Sequence, residues 1–174
     1  MTRVLTMTLT TATLSLLCFG CMGRLFKEGM GSARGASGKS VDMGTAGDFT
    51  KYKSLRIEAI KVSPGLHAPA GMTGMIRTDL AAAAEERGLK REGKPGLRLS
   101  GEIIHYETGS MVDTAIGPLE EVVVRTTLTD AESGNVVAET NLIGRSKATS
   151  SSGAKHLSAA VGKALDKWLK EGGL

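Results

Sequence analysis

Residues 122–143 read V-V-V-R-T-T-L-T-D-A-E-S-G-N-V-V-A-E-T-N-L-I. Val122, Val124, Thr126 and Leu128 alternate with Val123, Arg125, Thr127 and Thr129, the period of a strand with one buried face, and the run is rich in β-branched residues. Asp130 to Asn135 concentrates turn formers, and Val136 to Ile143 resumes the extended pattern, so the segment predicts two antiparallel strands joined by a hairpin turn. Upstream, Leu97, Leu99, Gly101, Ile103 and His105 alternate with Arg98, Ser100, Glu102, Ile104 and Tyr106, after a turn at Lys94-Pro95-Gly96. That strand completes an antiparallel meander of three.

Further outward the periods change. Tyr52 to Val62 places Leu55, Ile57 and Ala59 against Ser54, Arg56 and Glu58, another half-buried strand, closed by Ser63-Pro64-Gly65. Met72 to Arg87 sets Met75, Ile76, Leu80, Ala83 and Ala84 at helical spacing and stops at Gly88. The narrow, Ala-rich stripe suits close packing on a sheet. At the C-terminus Leu157, Ala160, Val161, Ala164, Leu165, Trp168 and Leu169 line one face of a helix, with Ser150 to Ser152 as candidate caps and Gly172-Gly173 as its stop. Lys155, Lys163, Lys167 and Lys170 lie mostly opposite, interrupted by Asp166 and Glu171; this is a solvated helix face and not a nucleic-acid surface. The order β-α-β-β-β-α predicts an α+β domain over 49–174: a two-layer sandwich of a four-stranded, mostly antiparallel sheet with both helices on one face. The other sheet face, carrying Ile60, Ile104, Tyr106, Val123 and many Thr, is left exposed or receives a partner.

The chain has 174 residues, a formal charge of +4, 41% hydrophobic residues and only 3% aromatic ones. One aliphatic core is within reach, whereas a multidomain enzyme, a fibre, a disulfide-dense miniprotein and a polytopic membrane protein are excluded. Ahead of the domain, residues 1–20 have the build of a secretory signal: Arg3, then a charge-free stretch from Val4 to Phe19 that is interspersed with Thr and too weakly apolar for a membrane-spanning helix. Residues 22–48 hold seven Gly and little apolar periodicity, the composition of a flexible tether with a reach on the order of 30 Å.

Two motifs in this region imitate chemistry. Cys18 and Cys21 form C-x-x-C, but there is no third Cys, and His67, His105 and His156 are scattered, so neither a dithiol site nor a metal site is expected. Ala33 to Ser40, A-R-G-A-S-G-K-S, satisfies a relaxed phosphate-loop pattern in which Lys39 would reach phosphate and Ser40 magnesium. The strand before it and the helix after it are missing, so no nucleotide site is expected. Glu85-Glu86, Glu120-Glu121 and Asp166 have surface-charge explanations, no nucleophile–base pair is visible, and the expectation is a protein without catalysis or cofactor.

Leu17, Cys18, Phe19, Gly20 and Cys21 resemble the lipobox of bacterial lipoproteins, with Gly20 as the small residue before the cleavage point and Cys21 as the lipidated cysteine; Cys18 and Phe19 depart from the usual Leu and small residue. Over 49–171, the first strand, the helix ending at Gly88, the L-R-L-S-G-E-I strand and the L-T-D-A-E-S-G-N-V-V hairpin resemble small uncharacterised lipoproteins of the bacterial envelope, which are similar to the periplasmic domain of curli-secretion-type lipoproteins. The resemblance implies signal cleavage between Gly20 and Cys21, palmitate or related acyl chains on Cys21, and a domain facing the periplasm. It also implies the outer membrane, since Met22 and Gly23 lack the inner-membrane retention Asp. Two functions of different class follow: a lipid-anchored, non-catalytic interaction or accessory module that docks on an envelope protein or on itself, or a binding protein for a lipid or other hydrophobic small ligand.

Overall fold

A computed structural model of the chain describes residues 36–44, 48–107, 120–146 and 153–174. All of them belong to one compact unit, Gly35–Leu174. Its elements in chain order are β1 (Ala36–Asp42), β2 (Ser54–Val62), α1 (Met72–Glu86), β3 (Gly96–Glu107), β4 (Glu121–Asp130), β5 (Val136–Ser146) and α2 (Gly153–Glu171). They form one sheet of order β1-β5-β4-β3-β2. The β3-β4-β5 meander is antiparallel as expected, and β2, joined to β3 through α1, pairs with it in parallel.

The sheet has five strands, not four. The extra one, β1, falls in the stretch whose composition suggests a tether, pairs antiparallel with β5 from Ala36↔Ser146 to Asp42↔Thr140, and moves the domain boundary from residue 49 back to 36. Its sequence, A-S-G-K-S-V-D, hides its role because the helix above leaves no room for large side chains. A β-carbon on Gly38 would fall on the carbonyl oxygen of Ala160 in α2, and one on Gly144 of β5 would lie 2.5 Å from that of Leu157. Glycine in a strand marks such a close backbone approach.

Both helices cover one face of the sheet. Leu55, Ile57, Leu99, Ile103, Val124, Leu128 and Leu142 from the strands meet Ile76, Leu80, Leu157, Val161 and Leu165 from the helices, all buried. Phe49 and Trp168 close one margin edge to face, with ring centroids 5.3 Å apart and planes at 72°. The helices touch each other where Gly162 approaches the Asp79 carbonyl, and the Ser158 hydroxyl donates to the Asp79 carboxylate.

Two bulges revise the expected faces. A register shift between Ile57 and Ile60 sets Glu58 and Ala59 together against the single position of Ser100 in β3, one extra residue, so Ile60 turns into the core and Ala59 is exposed, the reverse of strict alternation. A second shift at Ile104 leaves His105 opposite Val123 and brings Tyr106 opposite Val122, on the helix-covered side, where it packs against the core.

Candidate functional site

Gly20 and Cys21, the expected cleavage and lipidation residues, lie outside the described residues, as does the helix cap expected at Ser150–Ser152. Lys39 and Ser40, the residues that would reach phosphate and magnesium, sit in an edge strand whose backbone pairs with β5 and not in a loop. His67 lies exposed in the β2–α1 loop, His156 is exposed in the first turn of α2, and His105 stands on the open sheet face, 3.7 Å from Glu107. Among the described residues no three His, Cys, Asp or Glu side chains are placed to share a metal ion, and no helix is long and apolar enough to cross a membrane.

No described element covers the second face of the sheet, which is laid out by the ladder. Across the strands run Lys39, Ile143, Val123 and His105; then Val41, Asn141, Arg125, Glu102 and Lys61; and toward the hairpin end Thr129, Arg98 and Arg56. One cross-strand pair neutralises part of this charge, Arg145 bonded to Glu121, and Thr127 donates to the Glu139 carboxylate at 3.2 Å. Asn141 donates to the Met43 thioether at 3.3 Å, holding that half-exposed side chain over the end of β1. At the opposite edge two like charges adjoin, since Arg56 and Arg98 are register partners on β2 and β3. Arg98 donates a long bond of 3.4 Å to the Ala131 carbonyl, while its Nε is buried without a partner among the described residues.

The hairpin end is fixed electrostatically. The Asp130 carboxylate accepts the Glu132 and Ser133 amides at 2.9 and 2.8 Å and the Tyr52 hydroxyl at 3.0 Å. The two amides, then the phenol, hold its pKa down to about 2. Burial, followed by the bond to Asp130, pushes the Tyr52 phenol up. Across the helices, the Arg87 guanidinium at 2.5 Å holds the Asp166 carboxyl below its ordinary range.

Two grooves flank α1. The larger, about 740 Å³, runs between α1 and β2 and is lined by Leu55, Ile57, Ala81 and Leu89 together with Arg56, Arg77, Arg91, Glu85 and Glu92. The smaller, about 220 Å³, lies over the helix pair among Asp79, Glu86, Gly162, Lys163 and Asp166. Both mix charge with small apolar groups, unlike the mostly apolar lining that suits a hydrophobic ligand. Sequence reasoning left the larger groove unseen, because residues of β2, α1 and the loop after it come together along it only through the fold.

No protein-family model matches the chain, and no curated protein sequence does so either. Among solved structures the chain is similar to PelC from Paraburkholderia phytofirmans, crystallised as a dodecamer: 14% identity to a single-residue variant and 17% in a second crystal form, with TM-scores of 0.51 and 0.50, each covering 76% of this chain and 96% of that one. A looser likeness, TM-score 0.30 and 19% identity over 69% of this chain and 88% of the other, is to a minor lipoprotein from Acinetobacter baumannii. At these identities what the chain shares with PelC is the α+β fold.

Proposed function

We propose that the protein is a lipid-anchored, non-catalytic accessory module of the bacterial cell envelope. In this reading acylated Cys21 holds it at the outer membrane, and the domain from Ala36 onward faces the periplasm and associates with copies of itself. The observation that carries the reading is the fold shared with PelC over nearly all of that chain, because PelC crystallises as a dodecamer. Where copies close into a cyclic assembly, two different faces of one subunit meet head to tail. The domain offers such asymmetry: edge strand β1 at one side of the sheet and edge strand β2 at the other.

The anchor has a mechanical consequence. Only the 14 residues 22–35 separate Cys21 from Ala36, and they span at most about 50 Å even fully extended. Two or three acyl chains on one cysteine hold a protein at a bilayer essentially permanently, whereas one chain does not. The domain surface therefore has no need of lipid affinity, in keeping with its polar open face.

Native mass spectrometry of the protein extracted from envelopes in mild detergent tests both halves of the proposal. The expected spectrum shows lipid mass on each chain and a defined multimer. An unlipidated monomer at every concentration tried overturns the proposal.

A further inference from the structure

The two edges of the sheet carry outward-pointing backbone groups on the same rows of the ladder. On β1 the Met43 amide donates to the Glu139 carbonyl, so Met43 and every second residue before it face β5, and Asp42, Ser40 and Gly38 point their groups away from the sheet. On β2 the Ser63 amide donates to the Ile103 carbonyl, so Val62 and Ile60 are the residues that point outward. Two rows connect these positions. One runs Asp42, Thr140, Thr126, Gly101 and Ile60; the next runs Ser40, Leu142, Val124, Ile103 and Val62.

The ladder also sets direction. Three antiparallel pairings and one parallel pairing separate β1 from β2, so the two edges run in opposite senses. Copies placed side by side and the same way up therefore bring β1 antiparallel to β2 of the neighbour. Ser40 then falls opposite Val62 and Asp42 opposite Ile60, and each pair can exchange both backbone bonds. The next rung would set Gly38 opposite Pro64, which has no N–H to donate. At that position the Gly38 carbonyl accepts from the Lys167 ammonium at 3.2 Å instead. The far part of the β2 edge is closed as well, by the Leu55 amide donating to the Lys90 carbonyl at 2.8 Å.

Side chains point to the same joint. Among the described residues the exposed large apolar side chains are Val41, Met43, Val62 and Val136, and the first three stand at these two edges. In this register Val41 lies opposite Lys61, whose methylene stem can cover it.

We infer that copies of the protein join as one continuous sheet, with Ser40 and Asp42 of one copy bonded to Val62 and Ile60 of the next; the inference rests on the self-association proposed above and gives it a register. Lys167 and Lys90 close the parts of the two edges that the joint does not use, which confines pairing to these rungs.

Disulfide trapping tests it. Positions 41 and 61 adjoin across the joint but lie four strand spacings, about 19 Å, apart within one copy, so Val41→Cys with Lys61→Cys can bridge only between copies. Oxidation of that full-chain variant in mild detergent is expected to give a ladder of covalent multimers. The ladder is expected at least tenfold faster than from Lys39→Cys with Lys61→Cys, which is two residues out of register. Val62→Pro removes an amide that points away from the sheet and is expected to weaken association at least tenfold in sedimentation, with the circular dichroism of the fold retained. A multimer in native mass spectrometry that gives no ladder, equal ladders from the two cysteine pairs, or full association of Val62→Pro overturns this joint and leaves self-association standing. A monomer that gives no ladder overturns both.

Discussion

Gly38 of β1 passes directly beneath Ala160 of α2, backbone against backbone, with no space between them for a methyl group. The Lys167 ammonium, one turn beyond Ala164, donates to the Gly38 carbonyl at 3.2 Å and ties the same strand to the same helix. Gly38→Ala is therefore expected to cost about 1–3 kcal/mol, the range for forcing atoms into a packed interior. It is also expected to speed amide exchange through Ala36–Asp42. Gly44, where an added β-carbon would meet open space, is the control: Gly44→Ala is expected to stay within about 0.5 kcal/mol of wild type in chemical denaturation.

The pairing of Phe49 with Trp168 joins the segment before β2 to the last turns of α2. Phe49 is fully buried, and its amide donates to the Gly172 carbonyl at 3.0 Å. Phe49→Ala is expected to lose about 3–5 kcal/mol, the usual cost of emptying an aromatic site in a core. Urea denaturation with Trp168 fluorescence as the probe measures it, and a loss below about 1 kcal/mol contradicts the packing described.

Asp130 makes stability depend on acid. Its folded pKa, about 2, lies below the ordinary 3.8, so its contribution is complete above that ordinary value and disappears as pH falls toward 2. Asp130→Asn is expected to flatten the stability profile in that window and to lower stability at neutral pH. Tyr52 acts at the other limit. Its phenol is raised above 10.0, so the contribution of the neutral form is present below pH 10 and is lost as pH rises through the folded value. Tyr52→Phe is expected to remove that alkaline loss, and stability curves from acid to alkaline pH read both effects.

Gly74 sits inside α1 with open space around it and no positive φ. Gly74→Ala is expected to stabilise by about 0.5–1 kcal/mol, because alanine loses less backbone freedom on folding. A rise of a few degrees in Tm checks it.

How much of this was legible in the sequence depends on what each residue faces. The β3-β4-β5 meander and both helices stand where the periodicities place them, because each has one face against the core and one in water. Trp168 is buried and Lys155, Lys163, Lys167 and Lys170 are exposed, as the helical spacing predicts. β1 was invisible for a physical reason: its core-facing residues are Ala36 and Gly38, small because α2 lies on them, and small residues carry no apolar period. The bulges at Glu58–Ala59 and Ile104 escaped in the same way, since one extra residue in each shifts the faces of Ile60 and Tyr106 without changing composition. An open second sheet face was expected, and it is more charged than expected because Ile60 and Tyr106 leave it. The groove at β2 joins residues far apart in the chain, and no local pattern announces it.

The proposed role depends on the cysteine ahead of the domain. Metabolic labelling with palmitate, with intact mass, of the native protein beside Cys21→Ser is its most direct measurement. The native chain is expected to carry lipid, start at Cys21 and sediment with membranes, while Cys21→Ser is unlabelled. Two unlabelled proteins that both retain Met1 would contradict it.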